Sequence, residues 1–168
     1  MTSLLALLVL LVGLVPPPAM QATPQRQSSN PAAQSEHVRN GVQHFDRAFY
    51  ELTPKKQDAD AAREFDAAIA EFEAEAAARP SSAVAHSYLG RIYSLRKEYA
   101  KAAAHYDRLS EIEPLNVDAC VLAALAYAED GRLAESRARL DAAKLRTSDP
   151  VVLGRLAEYM SKLDAIKR

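Results

Sequence analysis

The chain has almost no cysteine. Cys120 is the only one in 168 residues, so no intramolecular disulfide can form. In an exported chain a lone thiol either pairs with another chain or serves as a small core residue, and the repeat register described below puts Cys120 in the core. Tryptophan is absent and glycine is scarce. Gly13, Gly41, Gly90, Gly131 and Gly154 are too scattered to build a loop that cradles phosphate. His37, His44, His86 and His105 form neither HxxxH nor HExxH, and no cysteine stands beside them at ligand spacing. No CxxCH is present for haem attachment. Neither sign of charge dominates: 21 basic and 22 acidic residues are interspersed, which excludes a basic nucleic-acid face and an acidic tail. These absences leave nothing for an enzyme, a cofactor or a small-molecule substrate to rest on.

Two smaller features receive plain readings. Glu71, Glu73 and Glu75, like Glu111 and Glu113, are spaced two apart, which puts neighbours on different sides of a helix as solvated surface. His86 and His105 fall on the two helices of one unit and are able to approach each other, but no third metal ligand accompanies them.

What is present begins with an uncharged apolar run. Leu4–Val15 is 12 residues long, within the roughly 7–15 of a secretory signal core and short of the about 20 that span a membrane. Prolines and small residues follow, and cleavage is expected after Ala22, giving a signal peptide over 1–22. The absence of a basic residue before the run and Met20 near the cleavage point leave the alternative of an uncleaved anchor. No cysteine lies nearby, so a lipoprotein signal is excluded. Residues 23–35 are rich in Gln, Ser, Pro and Ala without a large apolar residue, the composition of a disordered linker. The expected location is outside the cytoplasm, periplasmic or secreted in a bacterium.

From Glu36 onward apolar residues recur every three or four positions, which is helical spacing. Pro80 and Pro114 stand 34 residues apart and enclose two amphipathic helical patterns joined by a polar turn. Ser81 and Ser82 are N-cap residues for the first, and Pro114 lies beyond the end of the second. Adding 34 carries Gly90 to Ala124, Tyr93 to Tyr127, Ala102 to Ser136, Tyr106 to Leu140 and Leu109 to Ala143. Subtracting 34 carries Ala102 to Ala68, Tyr106 to Phe72 and Pro114 to Pro80. Small residues recur where helices approach closely, and large ones where the gap must be filled. Leu89, Gly90, Tyr93, Ala102, Tyr106 and Pro114, followed by Ala124, Tyr127, Gly131, Leu140 and Ala143, make the chain resemble the tetratricopeptide repeat family.

The expected fold is all-α: a solenoid of antiparallel helix pairs over 36–168, with units at 36–82, 83–116 and 117–149 and a cap at 150–168. The first unit is irregular. Counting back from Pro80 places Ala68 and Phe72 on the pattern, whereas counting forward from Phe45 and Leu52 places Ala61, Phe65 and Ala68 there. Asp58–Arg79 contains no helix breaker, which favours an extended second helix over an inserted loop. The cap resembles a first helix without its partner, and Glu158, Lys162, Asp164 and Lys167 give it a polar outer face.

The resemblance implies a right-handed superhelix whose first helices line a concave groove for peptides or helices. Its groove positions fall on Val84, Ser87, Arg91, Ser94 and Leu95 in one unit, and on Asp118, Val121, Leu125, Ala128 and Glu129 in the next. The family's clamp for chaperone C-terminal carboxylates is not expected, because Tyr88, Asp118 and Leu122 occupy its equivalents. The expected activity is non-enzymatic: an exported adaptor that holds a segment of an envelope, membrane or secretion complex. The alternatives are an accessory subunit that packs by its convex face, and a self-associating homo-oligomer. A further alternative is that a helix of the same chain fills the groove, with Val121 and Leu125 simply core.

Overall fold

The computed structural model describes residues 35–166, where seven α-helices follow one another without a strand. They are α1 (Glu36–Asp46), α2 (Asp58–Ala78), α3 (Ala83–Leu95), α4 (Tyr99–Ile112), α5 (Val117–Glu129), α6 (Leu133–Leu145) and α7 (Pro150–Ile166). Each packs on the next in sequence, so α1–α2, α3–α4 and α5–α6 form antiparallel pairs and α7 closes the row. Residues 1–34, with the expected signal segment and nearly all of the expected linker, lie outside the described residues, as does Lys167.

Two kinds of junction alternate along the chain, and each has a local cause. First helices open on a side chain that accepts an otherwise unpaired amide: Ser35 from Val38, Ser82 from Ala85, Asn116 from Ala119, and Asp149 from Val151. Ser35, at the end of the expected linker, therefore belongs to the start of α1. Within each pair the first helix ends on a left-handed residue: Lys56, Lys97 or Gly131. Around Lys97 the amide of Glu98 bonds the carbonyl of Tyr93, and that of Lys97 bonds Ser94. Around Gly131 the same two bonds run from Arg132 to Tyr127 and from Gly131 to Ala128. These bonds close the last carbonyls and reverse the chain tightly enough for the second helix to lie against the first.

The close approach of the paired helices depends on glycine. A Cβ on Gly90 would lie 2.6 Å from the Tyr106 ring, and one on Gly41 would lie 2.8 Å from the Phe72 ring. Phe72 and Tyr106 are 34 residues apart, but Gly41 and Gly90 are 49 apart, so 15 extra residues lie between Gly41 and Phe72. The first unit thus follows the register counted back from Pro80. The extra length is spent on helix: α1 continues through a π-helical segment, Arg47–Leu52, and a short turn, Thr53–Lys55, while α2 has 21 residues against 14 in its counterpart α4.

Adjacent pairs are stitched by a bond that repeats with the period. The Tyr93 hydroxyl donates to Glu73 at 2.8 Å, and the Tyr127 hydroxyl donates to Asp107 at 2.6 Å. Arg139 joins Asp107 from the following helix, and Arg96 reaches back to Asp66. One core gathers Phe45, Phe72, Leu89, Ile92 and Tyr106 with the inner face of α5. A second gathers Cys120, Leu140, Leu156 and Leu163 under α7. Cys120 is fully buried, a small core residue as its register implies.

One member of the acidic run on α2, Glu75, departs from the solvated surface expected of it. Glu75 is only 3% exposed. Its carboxylate takes bonds from Arg79 and from the Ser35 hydroxyl, and the Arg79 bonds hold its pKa well below the usual carboxylate range, at about 2. Glu71 accepts from His37, and Glu73 accepts from Tyr93. Spacing two apart puts these residues on different sides of α2: Glu73 stays exposed as expected, Glu71 is half-buried, and Glu75 alone is covered.

Candidate partner-binding groove

The groove is carried by the faces of α3 and α5 that point away from the cores. On α3, Ala85, Leu89 and Ile92 are fully buried, which turns Val84, Ser87, Arg91 and Leu95 outward at helical spacing. Val84 is 40% exposed and Leu95 is 47% exposed. Ser94 is different: it is half-buried and its hydroxyl bonds the Tyr106 phenol, so it is engaged within its own pair. On α5, Ala119, Ala123 and Ala126 are buried while Asp118 stands exposed at the start of the helix. Val121, Leu125, Ala128 and Glu129 are half-buried, and Val121 and Ala128 pack against the second core. The α3 stripe is thus the more open part, and the α5 stripe is partly drawn into the fold.

The long first pair adds residues that the period alone does not reveal. Tyr50 meets Phe49 edge-on at 5.0 Å, Phe49 stacks on Phe45 at 5.5 Å, Phe45 meets Tyr88 at 5.1 Å, and Tyr88 stacks on Phe72 at 4.7 Å. A file of rings therefore runs from Tyr50, 61% exposed, to the floor of the core at Phe72. Arg91 lies over two of these rings, 4.7 Å from the centroids of both Phe45 and Phe49. Phe45 and Phe49 read from sequence as an inward stripe on α1. Taking Gly41 as the counterpart of Gly90 would have shown that this stripe continues beyond the length of an ordinary repeat.

Titratable pairs elsewhere are structural. His86 and His105 do approach, with Nδ1 atoms 3.1 Å apart. The Pro80 carbonyl, 3.2 Å from His86 Nε2, can only accept, so that nitrogen carries the proton and Nδ1 accepts from His105. Burial pushes both histidines below their ordinary range, His105 to about 4. Among the described residues no group of three or more His, Cys, Asp or Glu is arranged to hold a metal ion. A polar hollow at the far end of the first pair is lined by charges that largely neutralise one another, Arg47 with Glu64 and Arg63 with Asp60. Among the described residues no helix is long and apolar enough to cross a membrane.

Comparison with solved structures places the architecture. The N-terminal domain of stress-induced protein-1 (STI-1) from C. elegans superposes with a TM-score of 0.50 at 15% identity, covering 74% of this chain and 98% of that domain. A point mutant of MamA superposes with a TM-score of 0.45 at 16% identity, covering 78% of this chain and 93% of that one. No family model matches the sequence, and comparison with curated proteins gives no match. The fold is a tetratricopeptide-like helical solenoid.

Proposed function

We propose that this chain is a non-enzymatic adaptor whose α3–α5 face holds a segment of a partner protein. One observation carries the reading. Exposed large apolar side chains on the helices are concentrated on first helices and the cap: Val84 and Leu95 on α3, Leu122 on α5, Val151 and Ile166 on α7, with Tyr50 on the tail of α1. The second helices keep theirs buried or half-buried, apart from Leu145 at the last position of α6. A stack that needed only solubility would have no reason to distribute apolar exposure in this way, whereas a solenoid that presents one row of helices to a ligand does. The apolar run Leu4–Val15, the prolines after it and Ala22 support an exported adaptor, with partners among envelope, membrane or secretion assemblies.

The test is affinity capture from envelope extract with the wild-type chain beside Leu95→Glu, after circular dichroism shows the variant folded. A partner held by the first and lost by the second supports the reading. A partner held equally by both moves the interface to the edge of turns that carries the exposed Leu115 and Leu145, and favours an accessory subunit.

A further inference from the structure

Many arginines elsewhere on this fold pair with acids, though Arg146 reaches only the Ser110 carbonyl. Arg79 meets Glu75, Arg96 meets Asp66, Arg132 meets Glu135, Arg137 meets Asp164 and Arg139 meets Asp107. Arg91 is the exception that lies in the candidate groove. Its guanidinium sits across the stacked pair Phe45 and Phe49, equidistant from both. Among the described residues no carboxylate forms an ion pair with it and no acceptor takes a hydrogen bond from it. A guanidinium has five N–H donors in a fixed fork, and contact with ring faces uses none of them as hydrogen bonds.

We infer that Arg91 is the receptor for a carboxylate on the partner, and that the segment held in the groove carries an Asp or Glu beside an aliphatic or aromatic side chain. This inference rests on the groove reading and adds the chemistry of the ligand to it. Three features of the site support it. The two rings hold the cation in place before binding, so little rotamer entropy is lost when a carboxylate arrives. The site is partly walled by apolar surface, where a charge-assisted, two-pronged bond is worth more than in open water. Val84 and Leu95 lie one to two helical turns either side of Arg91 on the same face of α3, and Tyr50 stands exposed at the end of the ring file. These surfaces receive the apolar neighbours of the acid. Asp118, on α5, is of opposite sign, so it disfavours an acid at its own position and sets the direction in which the segment lies.

The test uses a phage-displayed library of random 12-residue peptides selected on the immobilised full chain, beside Arg91→Gln, Arg91→Lys and Leu95→Glu. The expected pool is enriched in Asp or Glu next to Leu, Ile, Phe, Tyr or Trp. A selected peptide, measured by fluorescence anisotropy, should weaken at least about tenfold when its acid becomes the amide, and Arg91→Gln should abolish that difference. Arg91→Lys should restore only part of it, since an ammonium lacks the fork. A pool without acidic enrichment, an amide peptide that binds equally well, or no enrichment at all overturns the inference. If peptides are selected without an acid but Leu95→Glu still abolishes their binding, the groove reading stands and the role of Arg91 fails. If Leu95→Glu and Arg91→Gln both leave the pool unchanged, both fail. The acid-to-amide comparison on the wild-type chain decides the matter even if a variant does not fold.

Discussion

Gly90 lies directly beneath the ring of Tyr106, so close that a β-carbon would come within 2.6 Å of Cε1. Gly154 on α7 is a helical glycine with no neighbouring atom within 4 Å of its would-be β-carbon. The two sites should respond to enlargement with opposite signs. Gly90→Leu forces the α3–α4 pair apart and is expected to cost about 1–3 kcal/mol or more. Gly154→Ala removes backbone entropy from the unfolded chain without a clash and should add about 0.5–1 kcal/mol. Urea denaturation midpoints measure both, and an unchanged midpoint for Gly90→Leu would contradict the packing described.

The turn of the third pair needs positive φ at Gly131, which has φ +79° and open space around it. Gly131→Ala is therefore expected to cost about 1–2 kcal/mol through backbone strain alone. Lys97 occupies the equivalent turn of the second pair at φ +61°. Lys97→Gly relieves that strain, partly offset by the greater freedom of glycine in the unfolded chain, and should raise the melting temperature slightly. Differential scanning calorimetry on the two variants would show shifts of opposite direction.

Acid should destabilise the fold in two stages. His86 and His105 are held neutral by burial, so the unfolded chain takes up protons first. Their contribution is complete above the unfolded value near 6.5, and for His105 it is lost as pH falls from there to about 4. Glu75 is held charged, so its contribution is present above the unfolded value of 4.5 and is lost as pH falls through about 2. His105→Gln, whose amide can still donate to His86, should flatten the melting-temperature profile between pH 6.5 and 4 and leave the lower limb unchanged. A profile in that variant as steep as the wild type would refute the assignment.

The two inter-pair tyrosine bonds should be worth similar amounts. Tyr93→Phe and Tyr127→Phe each remove a hydroxyl donor from a carboxylate, Glu73 in one case and Asp107 in the other. Each should lose about 0.5–1.5 kcal/mol, read as a shift in urea midpoint. Asp118→Ala, on the groove wall, should change stability by less than about 0.5 kcal/mol. A larger loss there would mean that Asp118 is part of the fold and not of the binding face.

Much of this architecture was present in the chain as local chemistry. The 34-residue recurrence of Gly90, Tyr93 and Tyr106, the serine before α3 and the glycine of the α5–α6 turn are short-range facts: helical period, capping and backbone conformation depend on neighbours within a few residues. They determined the helix pairs, their turns, the burial of Cys120 and the face of α3 that remains outward. Only tertiary structure decided which register the first pair adopts, because two spacings of equal helical quality competed there and the contact of Phe72 with Gly41 chose between them. It also decided that Glu75 is buried, that Ser94 is engaged with Tyr106, and that Arg91 rests on Phe45 and Phe49. Those residues come from different helices, and their meeting depends on how far each helix extends beside its neighbour. Periodicity along one helix carries no information about that length, and packing between helices supplies it.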